Sequence, residues 1–234
     1  MTQGEELKRI IRNCYKDKIE NYFSDIIFHT ADNAVQSRFI YRLFYPSFNL
    51  TGYFNEIKKY NYMVIKYETE NMTKDFPKTA PFSKDIDIIC SKDDYEKTAE
   101  YTENYLKQFN DYELRIINSG VKGKKFRLEL NGFLIFQIDL RTEAEGIKNS
   151  FIEACLASKI EKGAVFIPDI KHELCFRAAE AAIYPDKKHH LKYIAGHSEF
   201  LDFELLKSSS DINTEAVIKE YIQLNNLQEK KLNV

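Results

Sequence analysis

The sequence predicts an α+β fold, a mixed β-sheet flanked by helices and followed by a helical C-terminal region. Three observations predict it. Apolar residues recur at three-and-four spacing before Tyr60 and again after Ile147, three short runs between Tyr112 and Leu140 alternate with period two, and Gly-containing turns separate those runs. With 234 residues, 44% of them hydrophobic, the chain can fill a real core.

Taken in order, Leu7, Ile10, Ile11, Cys14, Tyr15, Ile19 and Tyr22 mark an amphipathic helix from Glu5 to Phe23, and a second is expected over Ala34 to Leu43. A short helical segment lies between Tyr53 and Tyr60. "YMVIKY" (Tyr62 to Tyr67) is rich in β-formers and reads as a strand, and a polar loop with Pro77 and Pro81 leads to a second strand, "DIDIIC". Helical periodicity follows from Lys92 to Phe109. The runs "YELRIINS", "KKFRLEL" and "FLIFQIDL" are separated by "GVKG" and by Asn131-Gly132, a strong hairpin signal. Five helices are then expected, over Asn149 to Lys159, Ile170 to Ile183, Lys187 to Ala195, Glu199 to Leu206 and Asp211 to Leu224. Ser198, Asp202 and Asp211 are their candidate caps.

Charge and composition narrow the function. The 34 basic and 36 acidic residues nearly cancel, which gives no support to a nucleic-acid partner and favours a small one. The polar start, Met1 to Arg12, lacks the apolar core of a secretory signal, and no run of about 18 apolar residues occurs, so a cytoplasmic protein without a membrane partner is expected. Cys14, Cys90, Cys155 and Cys175 have no C-x-x-C spacing and read as core thiols. Nothing in the sequence marks an oligomeric state.

The chemistry concentrates in "PFSKDIDIIC". Alternation places Asp85 and Asp87 on one face of a strand, with Ile86 and Ile88 on the other. Two carboxylates so close repel one another where water is scarce unless a cation compensates. Asp139, in "FQIDL", supplies a third acid on a further strand. Three oxygen ligands of this type suit Mg²⁺ or Mn²⁺, and phosphoryl or nucleotidyl transfer is the chemistry such a site serves, with Asp139 the candidate to assist the attacking hydroxyl.

On these residues the sequence resembles the nucleotidyltransferase superfamily that includes DNA polymerase β, whose mark is two alternate acids on one strand and a third on a later one. "KDIDIIC" and "FQIDL" match, and the similarity spans about Tyr62 to Leu140. The Gly-Ser motif that the family carries ahead of the acids has no counterpart in "YMVIKYETENMTKDFPKTAPFSKDIDI". The chain looks like a divergent, uncharacterised bacterial branch in which a strand ending in lysine precedes the acids. The resemblance implies a nucleotidyltransferase-like α/β core over residues 1–148, a helical region over residues 149–234 packed on it, and an NTP and a small-molecule acceptor as substrates. It also implies phosphate contacts from Lys66 and from Lys187, Lys188 and Tyr193 in "YPDKKHHLKYI", while Ser83 and Lys84, just before the acids, are candidates to shape the loop over a bound nucleotide.

Other residues have plainer expected roles. Adjacent His189 and His190 diverge by about 100° on a helix and read as surface or capping histidines. Arg127 is expected either in a cross-strand ion pair or facing the acids, where it would orient them or a phosphate; Arg177 is expected in a pair with Glu173 or Glu180, and Arg141 just after the third acidic strand. Two further functions fit parts of the pattern: a catalytically degenerate relative that binds a nucleotide or a partner, and a glycosyltransferase whose D-x-D holds a metal and a nucleotide-sugar. Asp139 standing more than about 8 Å from the pair would favour the second, because metal ligands at about 2.0–2.6 Å must converge.

Overall fold

The computed structural model describes residue 13 and residues 48–67, 74–80, 85–110, 112–119, 123–130 and 133–222. The helices expected over Glu5 to Phe23 (apart from Asn13) and over Ala34 to Leu43 lie outside them. So do Cys14, Ser83, Lys84 and the Asn131-Gly132 turn. By internal contacts the chain divides into Met1–Ser47 and Phe48–Val234, and the sheet and its helices belong to the second unit.

Helix α1 (Thr51–Ile57) leads into β1 (Tyr62–Ile65), β2 (Asp85–Cys90), α2 (Tyr95–Leu106), and the strands β3 (Glu113–Ser119), β4 (Gly123–Leu130) and β5 (Phe133–Arg141). The remainder is mainly helical: α3 (Asn149–Ser158), α4 (Ile170–Ile183), α5 (Lys188–Gly196), α6 (Phe203–Ser209) and a helix over residues 214–222. The five strands form one mixed sheet in the order β1-β2-β5-β4-β3. β2 and β5 run parallel at its centre, and every other pairing in that sheet is antiparallel. The second unit is thus a mixed α/β structure whose five-stranded sheet is flanked, among the described residues, by seven α-helices. No described helix is long and apolar enough to cross a membrane.

Alternation gives the sheet two different faces. Ile86, Ile88, Phe126, Phe136, Ile138 and Leu140 are all buried, on the face closed by aromatic side chains. Phe48 meets Phe136 at 5.0 Å between ring centroids and Phe109 at 5.2 Å, and Phe54 packs on Tyr62 at 6.0 Å. On the opposite face Met63, Ile65 and Ile89 join one apolar cluster with Phe151, Leu174, Ile194 and Ile218 of the C-terminal helices. Full burial of each such side chain contributes about 1.5–3 kcal/mol. The helices cover this face where Ile89 stands and leave it open at Asp85, the exposed first residue of β2. Cys90, Cys155 and Cys175 are free and buried, and burial pushes the Cys90 and Cys175 thiols up to about 12.

Helix starts follow from capping oxygens. Asp169 accepts the N–H groups of Lys171 (2.9 Å) and His172 (3.1 Å) at α4, and Asp202 accepts that of Leu205 (3.1 Å) at α6. The helix expected over Glu199 to Leu206 is therefore two pieces, a 3₁₀ turn (Ser198–Phe200) and then α6, because Asp202 caps a new start. Asn213, rather than Asp211, caps the last helix by accepting from Ala216 N–H at 3.2 Å. A small hairpin was not expected: Ile160–Lys162 (β6) pairs with Val165–Ile167 (β7), turning at Gly163, whose φ of 63° is open to glycine without steric cost.

Candidate functional site

Asp87 stands directly opposite Asp139 in the parallel pairing of β2 with β5, and Asp85 stands opposite Gln137. The antiparallel partner β4 brings Lys125 opposite Asp139 and Arg127 opposite Gln137. Strand alternation therefore collects Asp85, Asp87, Gln137, Asp139, Arg141, Lys125 and Arg127 on one face. One oxygen from each of Asp85, Asp87 and Asp139 can be chosen so that all three lie within 4.8 Å of one another. Asp87 is 5% and Asp139 2% exposed, so two of the three carboxylates are inside the protein.

Burying them requires countercharge, and the chain supplies it. Arg141 Nη2 donates to Asp87 Oδ1 at 2.7 Å and to Asp139 Oδ2 at 3.0 Å. Lys66 Nζ donates to Asp87 Oδ2 at 2.7 Å, Lys125 Nζ lies 3.1 Å from Asp139 Oδ2, and Gln137 Nε2 donates to Asp139 Oδ1 at 2.6 Å. Both oxygens of Asp87 and both of Asp139 thus accept from protein donors. Burial and the neighbouring charge of Asp87 still hold the Asp139 carboxyl above the usual range, against the pull of Lys125 and Arg141. Burial disfavours the Arg141 guanidinium, but attraction to Asp87, Asp139 and Glu180 prevails and raises its pKa.

Lys66 joins this cluster to the C-terminal helices. It follows β1 with a φ of 57°, a left-handed conformation that costs a non-glycine residue about 1–2 kcal/mol. Two bonds to α4 hold it there: its N–H donates to Glu173 Oε2 at 2.9 Å and its Nζ to Glu180 Oε1 at 2.7 Å. Burial opposes the charge on Lys66, yet Asp87 and Glu180 raise its pKa beyond the ordinary lysine value. Glu180 also meets Lys187 Nζ (3.2 Å) and His190 Nε2 (3.0 Å). Burial alone would raise the Glu180 carboxyl, but His190, Lys66 and Lys187 together drive it far below the carboxylate range.

These groups line a cavity of about 170 Å³, walled by Lys66, Asp85, Asp87, Asp139, Arg141 and Glu180, with Lys125, Tyr184 and Lys187 also bordering it. Three of the residues expected from the sequence to contact phosphate behave differently from one another. Lys187 borders the cavity. Lys188 is exposed and does not line it, and Tyr193 faces a second, more apolar cavity with Tyr67 and Glu173, where the Arg177 guanidinium lies 3.8 Å from its ring centre. Tyr193 is there because Arg177 is fully buried, held by Glu173 at 2.6 Å on one side and by the aromatic ring on the other. Ser83 and Lys84 fall outside the described residues.

Other expectations need correction. His190 is buried against Glu180 rather than at the surface, while His189 is exposed and its ring centre lies 4.0 Å from that of His190. Arg127 donates to Gln137 at 2.8 Å and so supports Asp139 through one intermediary, besides its looser pairing with Glu129 at 3.7 Å. Arg141 is part of β5, not beyond it. Lys125, Gln137 and Glu180 are site residues that the sequence does not single out. Alternation along "KKFRLEL" and "FQIDLR" already puts Lys125, Gln137 and Arg141 on the acid side, whereas Glu180 is visible only as the third member of a helical stripe with Glu173 and Arg177.

The carboxylates fit a divalent hard cation by number, convergence and donor type. Compared with protein-family models and with curated proteins, the chain matches none.

Proposed function

We propose that the protein is a metal-dependent nucleotidyltransferase of the DNA polymerase β-like fold, moving a nucleoside monophosphate from an NTP to a small acceptor such as a sugar or alcohol phosphate. The observation that carries this reading is the register of the two central strands, which sets Asp139 opposite Asp87 and brings Asp85, Asp87 and Asp139 within 4.8 Å. The same proximity weighs against a D-x-D glycosyltransferase, which needs no third acid beside the pair.

Asp85, Asp87 and Asp139 are the residues that would hold Mg²⁺ or Mn²⁺. Such an ion, when bound, polarises the α-phosphate and offsets the charge of departing pyrophosphate. The chain's own contribution begins with Asp139, set opposite Asp87 on the adjacent strand, which would receive the proton of the acceptor hydroxyl as that oxygen bonds to the α-phosphorus. The bond from that phosphorus to the bridging oxygen of the β-phosphate breaks, and pyrophosphate carries the electron pair away. Lys66, Lys125, Arg141 and Lys187 offer cationic donors to the phosphate oxygens in place of a Gly-Ser loop.

A second reading has a specific observation behind it. Arg141 and Lys66 already neutralise the buried acids, as they would in a degenerate relative that binds a nucleotide or a partner without turnover. Pyrophosphate release from a panel of NTPs with sugar phosphate and alcohol phosphate acceptors separates the two. Release that needs Mg²⁺ and disappears in Asp139→Asn supports transfer. Nucleotide binding with no release across the panel favours the degenerate reading.

A further inference from the structure

The placement of Arg141 says more than that the acids are neutralised. Its Nη2 lies between Asp87 and Asp139, 2.7 and 3.0 Å from their oxygens, which is the space between the two central acids. A hard cation on those oxygens sits at about 2.0–2.1 Å from each, so it and the guanidinium cannot share that space. Of the donors on the two acids, Lys66 has a second anchor in Glu180 and stays charged and held if Asp87 lets go. Among the described residues, Arg141 has no ion pair beyond these two acids.

We infer that Arg141 is a resident counter-ion that leaves Asp87 and Asp139 for the phosphate of the incoming nucleotide, so that metal and nucleotide load together and metal alone loads poorly. The inference rests on the proposed function. A guanidinium is suited to the exchange, because its planar fork matches phosphate as well as carboxylate and it stays charged throughout. It also has room. Arg141 ends β5 and borders the cavity. Linkage makes the effect reciprocal: nucleotide tightens metal binding by the same factor as metal tightens nucleotide binding.

The test is Mn²⁺ binding to the full chain, followed by the spin-resonance signal of free Mn²⁺, with and without a non-hydrolysable NTP and corrected for Mn²⁺ on the nucleotide itself. Wild type is expected to bind Mn²⁺ weakly alone and at least tenfold more tightly with nucleotide. Arg141→Gln should bind Mn²⁺ alone at least tenfold more tightly than wild type and gain far less from nucleotide. Arg141→Lys, which keeps a charge between the acids, should fall between them and serves if the Gln variant does not fold. If both proteins bind Mn²⁺ with nucleotide present but Arg141→Gln binds it alone no more tightly than wild type, the counter-ion role is wrong and the metal site stands. If no protein binds Mn²⁺ under any condition, the metal reading and the inference fall together.

Discussion

Asp87 and Asp139 face one another across the two parallel strands at the centre of the sheet, and a single nitrogen of Arg141 ties them together. Removing one of these acids strands buried cations. Asp87→Ala would leave Lys66 and Arg141 each short of a partner, and breaking a buried pair from one side costs about 3–5 kcal/mol. Urea denaturation should show a loss near the lower end, since Glu180 retains Lys66 and Asp139 retains Arg141. An unchanged midpoint would mean that the network contributes nothing to stability.

Gly123 is the second position where the cluster and the fold meet. A Cβ there would lie 2.8 Å from the Leu140 carbonyl oxygen and 2.9 Å from Arg141 Cβ, and only the third close neighbour, the Ser119 hydroxyl at 2.8 Å, can turn aside. Gly123→Ala should cost about 1–3 kcal/mol through displacement of the β4–β5 pairing. A variant as stable as wild type would show that the strand yields freely.

Acid sensitivity should trace to Glu180. Its folded pKa lies below the unfolded value, so its contribution is complete above the ordinary glutamate range and is lost as pH falls through and beneath it. Asp139 and Glu173, raised chiefly by burial, act in the opposite sense. The informative quantity is therefore the difference between wild type and Glu180→Gln. Unfolding free energies from pH 7 to pH 3 should converge as the pH drops, and a constant gap would contradict the assignment.

Lys66 combines a strained backbone with two ion pairs, and a pair of variants separates them. Both Lys66→Met and Lys66→Gly lose the contacts to Asp87 and Glu180. Glycine also relieves the left-handed conformation at φ 57°. Lys66→Gly should therefore be more stable than Lys66→Met by about 1 kcal/mol in denaturant unfolding. Equal stabilities would indicate that the bond from the Lys66 N–H to Glu173 does not hold a strained residue.

The strand carrying the acids is legible in the sequence because its signal is local. β-branched residues and period-two alternation bound Asp85–Cys90 and put Asp85 and Asp87 on one side, and the same rule applied to "FQIDL" finds Asp139. The role of Arg141 lies one step further along that alternation, past Leu140, where the apolar run that marks the strand stops. Glu180 cannot be found this way, since only packing of α4 against the sheet brings it to Lys66. The short hairpin β6–β7 escapes for a different reason: "IEK" is exposed throughout and carries no alternation of burial. Tyr193 is misleading because a basic, aromatic segment reads the same whether its ring meets a ligand or covers a buried arginine.

The central claim is that three carboxylates on two adjacent strands form a metal-dependent nucleotide site. Its most direct test is calorimetric titration of a non-hydrolysable NTP into the full chain, with Mg²⁺ and with chelator, for wild type, Asp85→Asn and Asp139→Asn, each checked for a cooperative unfolding transition. Binding that needs Mg²⁺ in wild type and weakens at least tenfold in both folded variants is the expected result. Nucleotide affinity that ignores Mg²⁺ and both substitutions would contradict the claim.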